Sequence, residues 1–435
     1  MTFREYTAAL ANRRIGMIMI LGFASGLPLA LTGGTLQAWM TVEGVDLKTI
    51  GIFTLVGLPY TWKFLWAPFM DRFVPPLLGR RRGWILFTQL GLIVAIAAMA
   101  VTDVKTALTS MALLALAVAF LSASQDIVYD AYSTDAVKPE ERGMSAAVKV
   151  LGYRIAMLVS GGGALVLASG GEFFGLTLPQ GIGWQNTYFL MAGLMLVGVL
   201  ATLFAPEPLQ QVVPPRTLDE AVIAPMKEFF GRHGAWLLLL LIVLYKLGDA
   251  FAGALSTTFL IRGAGFSPAE VGAVNKGMGL AATIVGVLIG GGLMVKLGLY
   301  RSLLAFGVLQ AFSNLMFMWV AVAGKSYSVM VAAVAVENIC GGMGTTAFVA
   351  LLMSLCNARF TATQFALLSA LAVVGRVYVG PAAGYLTDPK EFGMAWAPFF
   401  FVTFLTALPG LAMLVGMRRF IEPLERPFLS PPGDG

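Results

Sequence analysis

Nine ionisable residues fall inside stretches that are otherwise apolar: Lys63, Asp126, Lys149, Arg154, Lys246, Asp249, Lys276, Glu337 and Arg376. A charge in an apolar helix costs several kcal/mol, roughly 2.5–3.5 each on insertion scales, so by default it marks a pathway or a site. The basic groups can hold carboxylates, and the acids can take up and release protons. Arg grips a carboxylate through two parallel hydrogen bonds, which Lys cannot do. Gln125 offers a donor and an acceptor to an amide, and a helix-packing role is equally open. Lys246 and Asp249 sit three apart on one helical face, where an internal ion pair and separate roles are both open.

Positioning these residues requires helices that live in lipid. The 435-residue chain is 58% hydrophobic and 12% charged, with mean hydropathy +0.82. Runs of about 20 apolar residues suit bilayer-spanning helices. The pattern predicts twelve, over 15–39, 49–70, 83–102, 107–128, 143–168, 184–205, 235–260, 269–294, 302–323, 327–356, 363–386 and 395–417. The first lacks a small-residue cleavage site and reads as retained. Fifty glycines fit helices that approach one another closely. At about 1.5 Å per residue, Arg154 and Arg376 lie roughly 17–20 Å from the cytoplasmic face, near mid-bilayer. Lys246 and Glu337 are similarly deep, Lys149 and Lys276 shallower, and Lys63 nears the cytoplasmic end.

Orientation follows from Lys and Arg. With the N-terminus inside, eighteen basic residues fall in cytoplasmic segments and five on the opposite side, which puts both termini in the cytoplasm. The net charge of +6 follows from this bias and from the basic residues in the spans, and gives no reason to invoke nucleic acid. Pro206, Pro208, Pro214, Pro215 and Pro225 mark a linker over 206–234. Thr217 and Glu220 there make a capping box for a short amphipathic helix ending near Arg232. The expected organisation is a six-helix bundle over 1–205, the linker, a second bundle over 235–417 and a cytoplasmic tail over 418–435.

The halves repeat. GVDLKTIG from Gly44 lies over GFSPAEVG from Gly265, and LGYR ending at Arg154 lies over VVGR ending at Arg376. A six-helix unit repeated about an axis along the membrane normal is the arrangement of major facilitator transporters. The ionisable residues agree, since spans 3, 6, 9 and 12 carry none, and in that architecture those four face lipid. The expected fold is therefore an all-α integral membrane protein, two six-helix bundles related by pseudo-twofold symmetry. In GGLMVKLGLYR, Gly291, Lys296, Gly298 and Arg301 match most of that family's short loop motif, while Val295 stands where an acid is expected. The first-half copy keeps Asp71 and Arg72, then departs before Gly79, Arg80, Arg81 and Arg82. These loops brace a cytoplasmic gate, with Asp130 and Asp135 as expected partners of Arg80 to Arg82.

LGFASGLPLALTGGTLQAWM, FLWAPFMDR, GRRRGW, SASQDIVYDAY, LGYRIAMLVSGG, LLIVLYKLGDAF and ATQFALLSALAVVGRVYVGP together resemble the AmpG family of muropeptide permeases over nearly the whole chain. The resemblance implies proton-driven uptake of N-acetylglucosaminyl-1,6-anhydro-N-acetylmuramyl peptides across the bacterial inner membrane, for recycling of the cell wall. Where a β-lactamase is inducible, it also implies supply of the inducing ligand. Many members continue into two more C-terminal helices, whereas this chain closes with ERPFLSPPGDG. Such a cargo carries several carboxylates, sugars and amides. The matching groups here are Arg154, Arg376, Lys246, Lys149, Lys276 and Gln125. Asp249, Glu337 and Asp126 are the candidates for the coupled proton.

Other classes fare worse. His233 is the only histidine and lies in the linker, and Cys340 and Cys356 share one span. No His/Cys/carboxylate spacing suggests a metal, and no nucleophile–base pair has a signature, so an enzyme is not expected. No cofactor is expected beyond protons as the coupling ion, and the transporter is expected to work as a monomer. The alternative cargo is another bulky anion, such as an acetyl-CoA-like solute.

Overall fold

The computed structural model describes residues 13–137, 142–173, 176–206, 223–232, 234–356 and 361–425. His233 and the capping box expected at Thr217 and Glu220 lie outside the described residues. Among those described, eleven helices are long and apolar enough to cross a membrane. Each falls on one of the predicted spans. The exception is the second, predicted as one helix over 49–70. The chain there is a string of short pieces: α3 (Leu47–Ile52), a 3₁₀ turn, α4 (Leu58–Trp62), a second 3₁₀ turn and α5 (Ala67–Arg72). Pro59 and Pro68 each remove a helix N–H, and Gly51 and Gly57 loosen the backbone ahead of them.

Two compact units form, one from Met1–Val45 with Val56–Arg216, the other from Asp46–Leu55 with Thr217–Gly435. In the first, α1 (Arg13–Thr32) continues into α2 (Gly34–Val42). It packs along α8 (Arg142–Leu158), which leads through a π-helical turn at Val159–Gly163 into α9 (Ala164–Ser169). Backbone meets backbone here, because a Cβ at Gly152 would lie 2.1 Å from the Met19 carbonyl oxygen. Without a hydrophobic driving force in lipid, such close approach is what holds helices together. The remaining helices are α6 (Gly79–Val101), α7 (Leu108–Asp135) and α10 (Trp184–Phe204), with α6 packed between the other two. A hairpin of three-residue strands, β1 (Gly171–Phe173) and β2 (Leu176–Leu178), precedes α10 in the loop between spans.

The second unit holds α11 (Ala224–Phe230) on the linker, then α12 (Ala235–Ala254), α13 (Gly279–Leu297), α14 (Leu299–Ala323), α15 (Tyr327–Ser354), α16 (Thr361–Thr387) and α17 (Trp396–Gly416). A π-helical stretch at Gly272–Met278 leads into α13. Closest packing is α13 on α15, α14 on α15, and α12 on α16 and α17. The segment Asp46–Leu55 packs on α16. Helices expected to face lipid expose large apolar side chains, as they must: Phe87 and Val94 on α6, Leu196 and Leu200 on α10, Phe312 and Val322 on α14, and Phe401 and Leu405 on α17.

Candidate functional site

In the first unit the chemistry centres on α7. Its Asp126 accepts a hydrogen bond from Ser25 Oγ of α1. Lys63, Asp130 and Lys149 lie near enough to act on the Asp126 charge, as does the Tyr60 hydroxyl. Asp130 pairs with Lys149, whose ammonium also sits 5.3 Å from the centre of the Tyr129 ring. Gln125 is buried with neither amide atom hydrogen-bonded among the described residues, and the Ser122 and Tyr60 hydroxyls face one another without hydrogen-bond geometry. Arg154 stands apart from this group, exposed on α8 and without a hydrogen bond or ion pair among the described residues.

The second unit gathers more. Lys246 Nζ on α12 lies 3.3 Å from Asp249 Oδ2, 3.4 Å from Gln310 Oε1 of α14 and 3.4 Å from Thr345 Oγ1 of α15. The Phe348 ring lies 5.6 Å from the same ammonium. The internal ion pair left open by the spacing is thus formed. Glu337 Oε2 accepts from Asn338 Nδ2 at 2.8 Å, and Asn338 Oδ1 accepts from Thr283 Oγ1 at 3.0 Å. Asp249, Lys246 and Lys276 are within electrostatic range of Glu337, and Lys276 feels Arg376 as well. Five of the predicted residues, Lys246, Asp249, Lys276, Glu337 and Arg376, therefore form one polar group. The Arg376 guanidinium is exposed and, like Arg154, makes no hydrogen bond or ion pair among the described residues.

The residues expected to form the gate divide. Arg81 Nε meets Asp135 Oδ2 at 3.1 Å, one of the pairings expected among these residues. Arg82 donates to the carbonyls of Thr202 and Leu203, at 3.2 and 2.9 Å, covering the C-terminal end of α10, where carbonyls lack helical partners. Asp130, expected opposite the arginines, holds Lys149. Asp71 and Arg72 close α5, and their side chains lie outside the described set.

Ser25, Tyr60, Gln310, Asn338 and Thr345 do not emerge from the sequence. All are uncharged, so a search for charge in apolar helices passes over them. One signal is available for Gln310, since Gly341 and Gly344 leave room on the facing helix for a long polar side chain.

The sequence matches the Major Facilitator Superfamily model over residues 18–380. It is 57% identical to the Anhydromuropeptide permease of Escherichia coli strain K12 over 418 residues, 96% of this chain and 82% of that protein. It is 34% identical to Putative transporter AmpG 4 of Rickettsia felis, covering 96% of this chain and 99% of the relative. Among solved structures, the POT family transporter PepTSo superposes with a TM-score of 0.70 at 12% identity, over 95% of this chain and 98% of that one. A bacterial homologue of the human lysosomal transporter Spinster, in an inward-facing unoccupied form, gives 0.66 at 16% identity over the whole of both chains.

Proposed function

Because the chain belongs to the Major Facilitator Superfamily and, within it, to the AmpG family, we propose that it imports N-acetylglucosaminyl-1,6-anhydro-N-acetylmuramyl peptides, driven by protons. It is a transporter and not an enzyme, and the eleven apolar helices among the described residues make it a multi-pass membrane protein. The observation that carries the cargo is the 57% identity to the Escherichia coli permease across 96% of this chain. In this reading it works as a monomer in the bacterial inner membrane with both termini in the cytoplasm. It returns cell-wall fragments for recycling and, where a β-lactamase is inducible, delivers the inducer.

The side chains suit such a cargo. Two exposed guanidinium groups without acceptors among the described residues, Arg154 and Arg376, are ready for bidentate carboxylate binding. Lys246 and Lys276 add positive charge in the second unit, and Lys149 in the first. The unsatisfied amide of Gln125 suits a peptide or acetamido group of the cargo, because leaving a buried polar group unpaired costs about 1–3 kcal/mol. Asp249 or Glu337 carries the coupled proton, with Asp126 as the alternative in the first unit. No cofactor enters beyond the protons.

The test is uptake of radiolabelled anhydromuropeptide into inverted and right-side-out membrane vesicles. Accumulation in right-side-out vesicles that collapses with a protonophore is expected. Uptake no greater than in vesicles lacking the protein would overturn the cargo, and uptake indifferent to the protonophore would overturn the coupling.

A further inference from the structure

The Lys246 ammonium has three donors, and three oxygens surround it at nearly equal distance: Asp249 Oδ2, Gln310 Oε1 and Thr345 Oγ1. The three acceptors differ in where they stand. Thr345 is exposed, whereas Gln310 is 7% exposed and reaches in from α14, a helix whose outer face carries Phe312 and Val322. An incoming anion can replace the threonine hydroxyl and cannot reach the glutamine. The backbone opposite is shaped to this side chain, because a Cβ at Gly344 would lie 2.3 Å from Gln310 Oε1. Gly344 is thus the opening through which a side chain on an outward helix reaches an ammonium on α12.

We propose that Gln310, admitted by Gly344, is a positioning residue that anchors Lys246 from behind, and that the cargo carboxylate takes the place of Thr345 on the open side. Asp249 alone does not fix the ammonium, since a single ion pair on one helix leaves a four-carbon stem free to rotate. The buried amide supplies the second fixed point and directs the remaining donor toward Thr345. Asp249 and Gln310 then stay in place while the exchangeable third acceptor passes from hydroxyl to carboxylate. The hydroxyl offers the ammonium only a dipole whereas a carboxylate offers a full opposite charge, so the carboxylate displaces the hydroxyl.

This inference takes its cargo from the proposed function, so the experiment includes an arm that needs no cargo. Gln310→Met keeps the length and loses the acceptor. It is expected to raise KM for anhydromuropeptide about tenfold, the loss of one charge-assisted bond, with little change in maximal rate per inserted molecule. Gly344→Ala should reproduce that rise by pushing the amide aside, and the double variant should be no worse than either single, because both remove one interaction. Thr345→Val, which removes the competing hydroxyl, should lower KM. Without cargo, acylation of Lys246 by a small amine-specific reagent, read by mass spectrometry, should run several-fold faster in Gln310→Met and Gly344→Ala. Each leaves the ammonium without one of its fixed acceptors, so the side chain swings more freely toward the reagent. Unchanged KM in Gln310→Met, additive effects of Gln310→Met and Gly344→Ala, or a KM rise in Thr345→Val would each overturn the proposal. If the wild type takes up no anhydromuropeptide, the cargo reading falls and the acylation arm decides alone, with equal rates in all three proteins as the contrary result. Should Gln310→Met fail to reach the membrane, Gly344→Ala carries both arms.

Discussion

The second span of each half starts from the same repeat, Gly44 and Gly51 over Gly265 and Gly272, and ends in different structures. In the first half, Pro59 and Pro68 break it into α3, α4 and α5. In the second, Pro268 falls at the start of the helix, where a missing N–H is harmless, and Ser267 caps it. The chain then runs on through π-helical Gly272–Met278 into α13. A π-helical stretch re-aims side chains relative to a regular helix and recurs at functional sites. Here it carries Lys276 into range of Arg376 and Glu337. The broken first-half copy brings Lys63 only as far as the Asp126 neighbourhood. One repeat thus yields a rich ionic group in the second unit and a sparser one, edged by unsatisfied Gln125, Tyr60 and Ser122, in the first.

If that asymmetry divides the labour, the second unit couples the proton. The largest expected effect is Glu337→Gln, which should abolish accumulation against a gradient while sparing downhill exchange of cargo. Asp249→Asn should do the same if the proton is shared across the group. Asp126→Asn, whose carboxylate already answers to the Ser25 hydroxyl, should keep accumulation. Vesicle uptake with and without an imposed proton gradient distinguishes these outcomes. Abolition in Asp126→Asn, with normal accumulation in Glu337→Gln and Asp249→Asn, would reverse the comparison.

The second effect tests cargo binding across the repeat-related arginines. Arg376→Gln should reduce uptake at low cargo concentration on the order of a hundredfold, the loss expected when one partner of a desolvated charge pair is removed. Arg154→Gln should cost about tenfold, since no other predicted cation joins it on α8 except Lys149, which is already engaged with Asp130. Equal losses in the two, measured against membrane abundance, would show that the units share cargo evenly and break the asymmetry.

Much of this architecture is legible in the sequence itself. Apolar runs define the spans because lipid offers the backbone no partners, and charge inside them is rare enough to identify Asp249, Glu337 and Arg376. The features that stay hidden do so for physical reasons. Pro59 and Pro68 are visible, but the hydropathy around them is undiminished, so a window drawn for length runs straight through the break. Gln310 lies on a helix that reads as lipid-facing, and only its inward side matters. Asn338 carries no charge, yet it joins Glu337 to Thr283. Asp130 is conspicuous by its charge, but its contact with Lys149 depends on how α7 and α8 turn toward each other, which the sequence does not reveal.

The smallest effect concerns how the first piece of the broken span is held. Asp388, just past α16, accepts the backbone N–H of Lys48 at 3.0 Å and of Lys390 at 2.9 Å, and Lys48 Nζ meets Glu391 at 2.5 Å. Asp388→Ala strands those donors and should lower stability by about 1–3 kcal/mol, seen as a fall in Tm of the detergent-solubilised protein. Lys48→Met removes only an exposed ion pair, so its Tm should be close to that of the wild type. Burial pushes the Asp388 carboxyl up, but the backbone N–H groups of Lys48, Lys390 and Leu47 outweigh it and hold the group below the usual carboxylate range. A carboxyl lowered on folding stabilises above its unfolded value, and that contribution is lost only as pH falls through the folded one. Hydrogen bonding and the charge of Glu391 raise the Lys48 ammonium above its ordinary value, so its contribution holds until pH climbs through that raised value. Neither group titrates between pH 5 and pH 8. The Tm gap between wild type and Asp388→Ala should therefore be the same at both, and a gap that closes at pH 5 would mean that the carboxylate is not held by these donors.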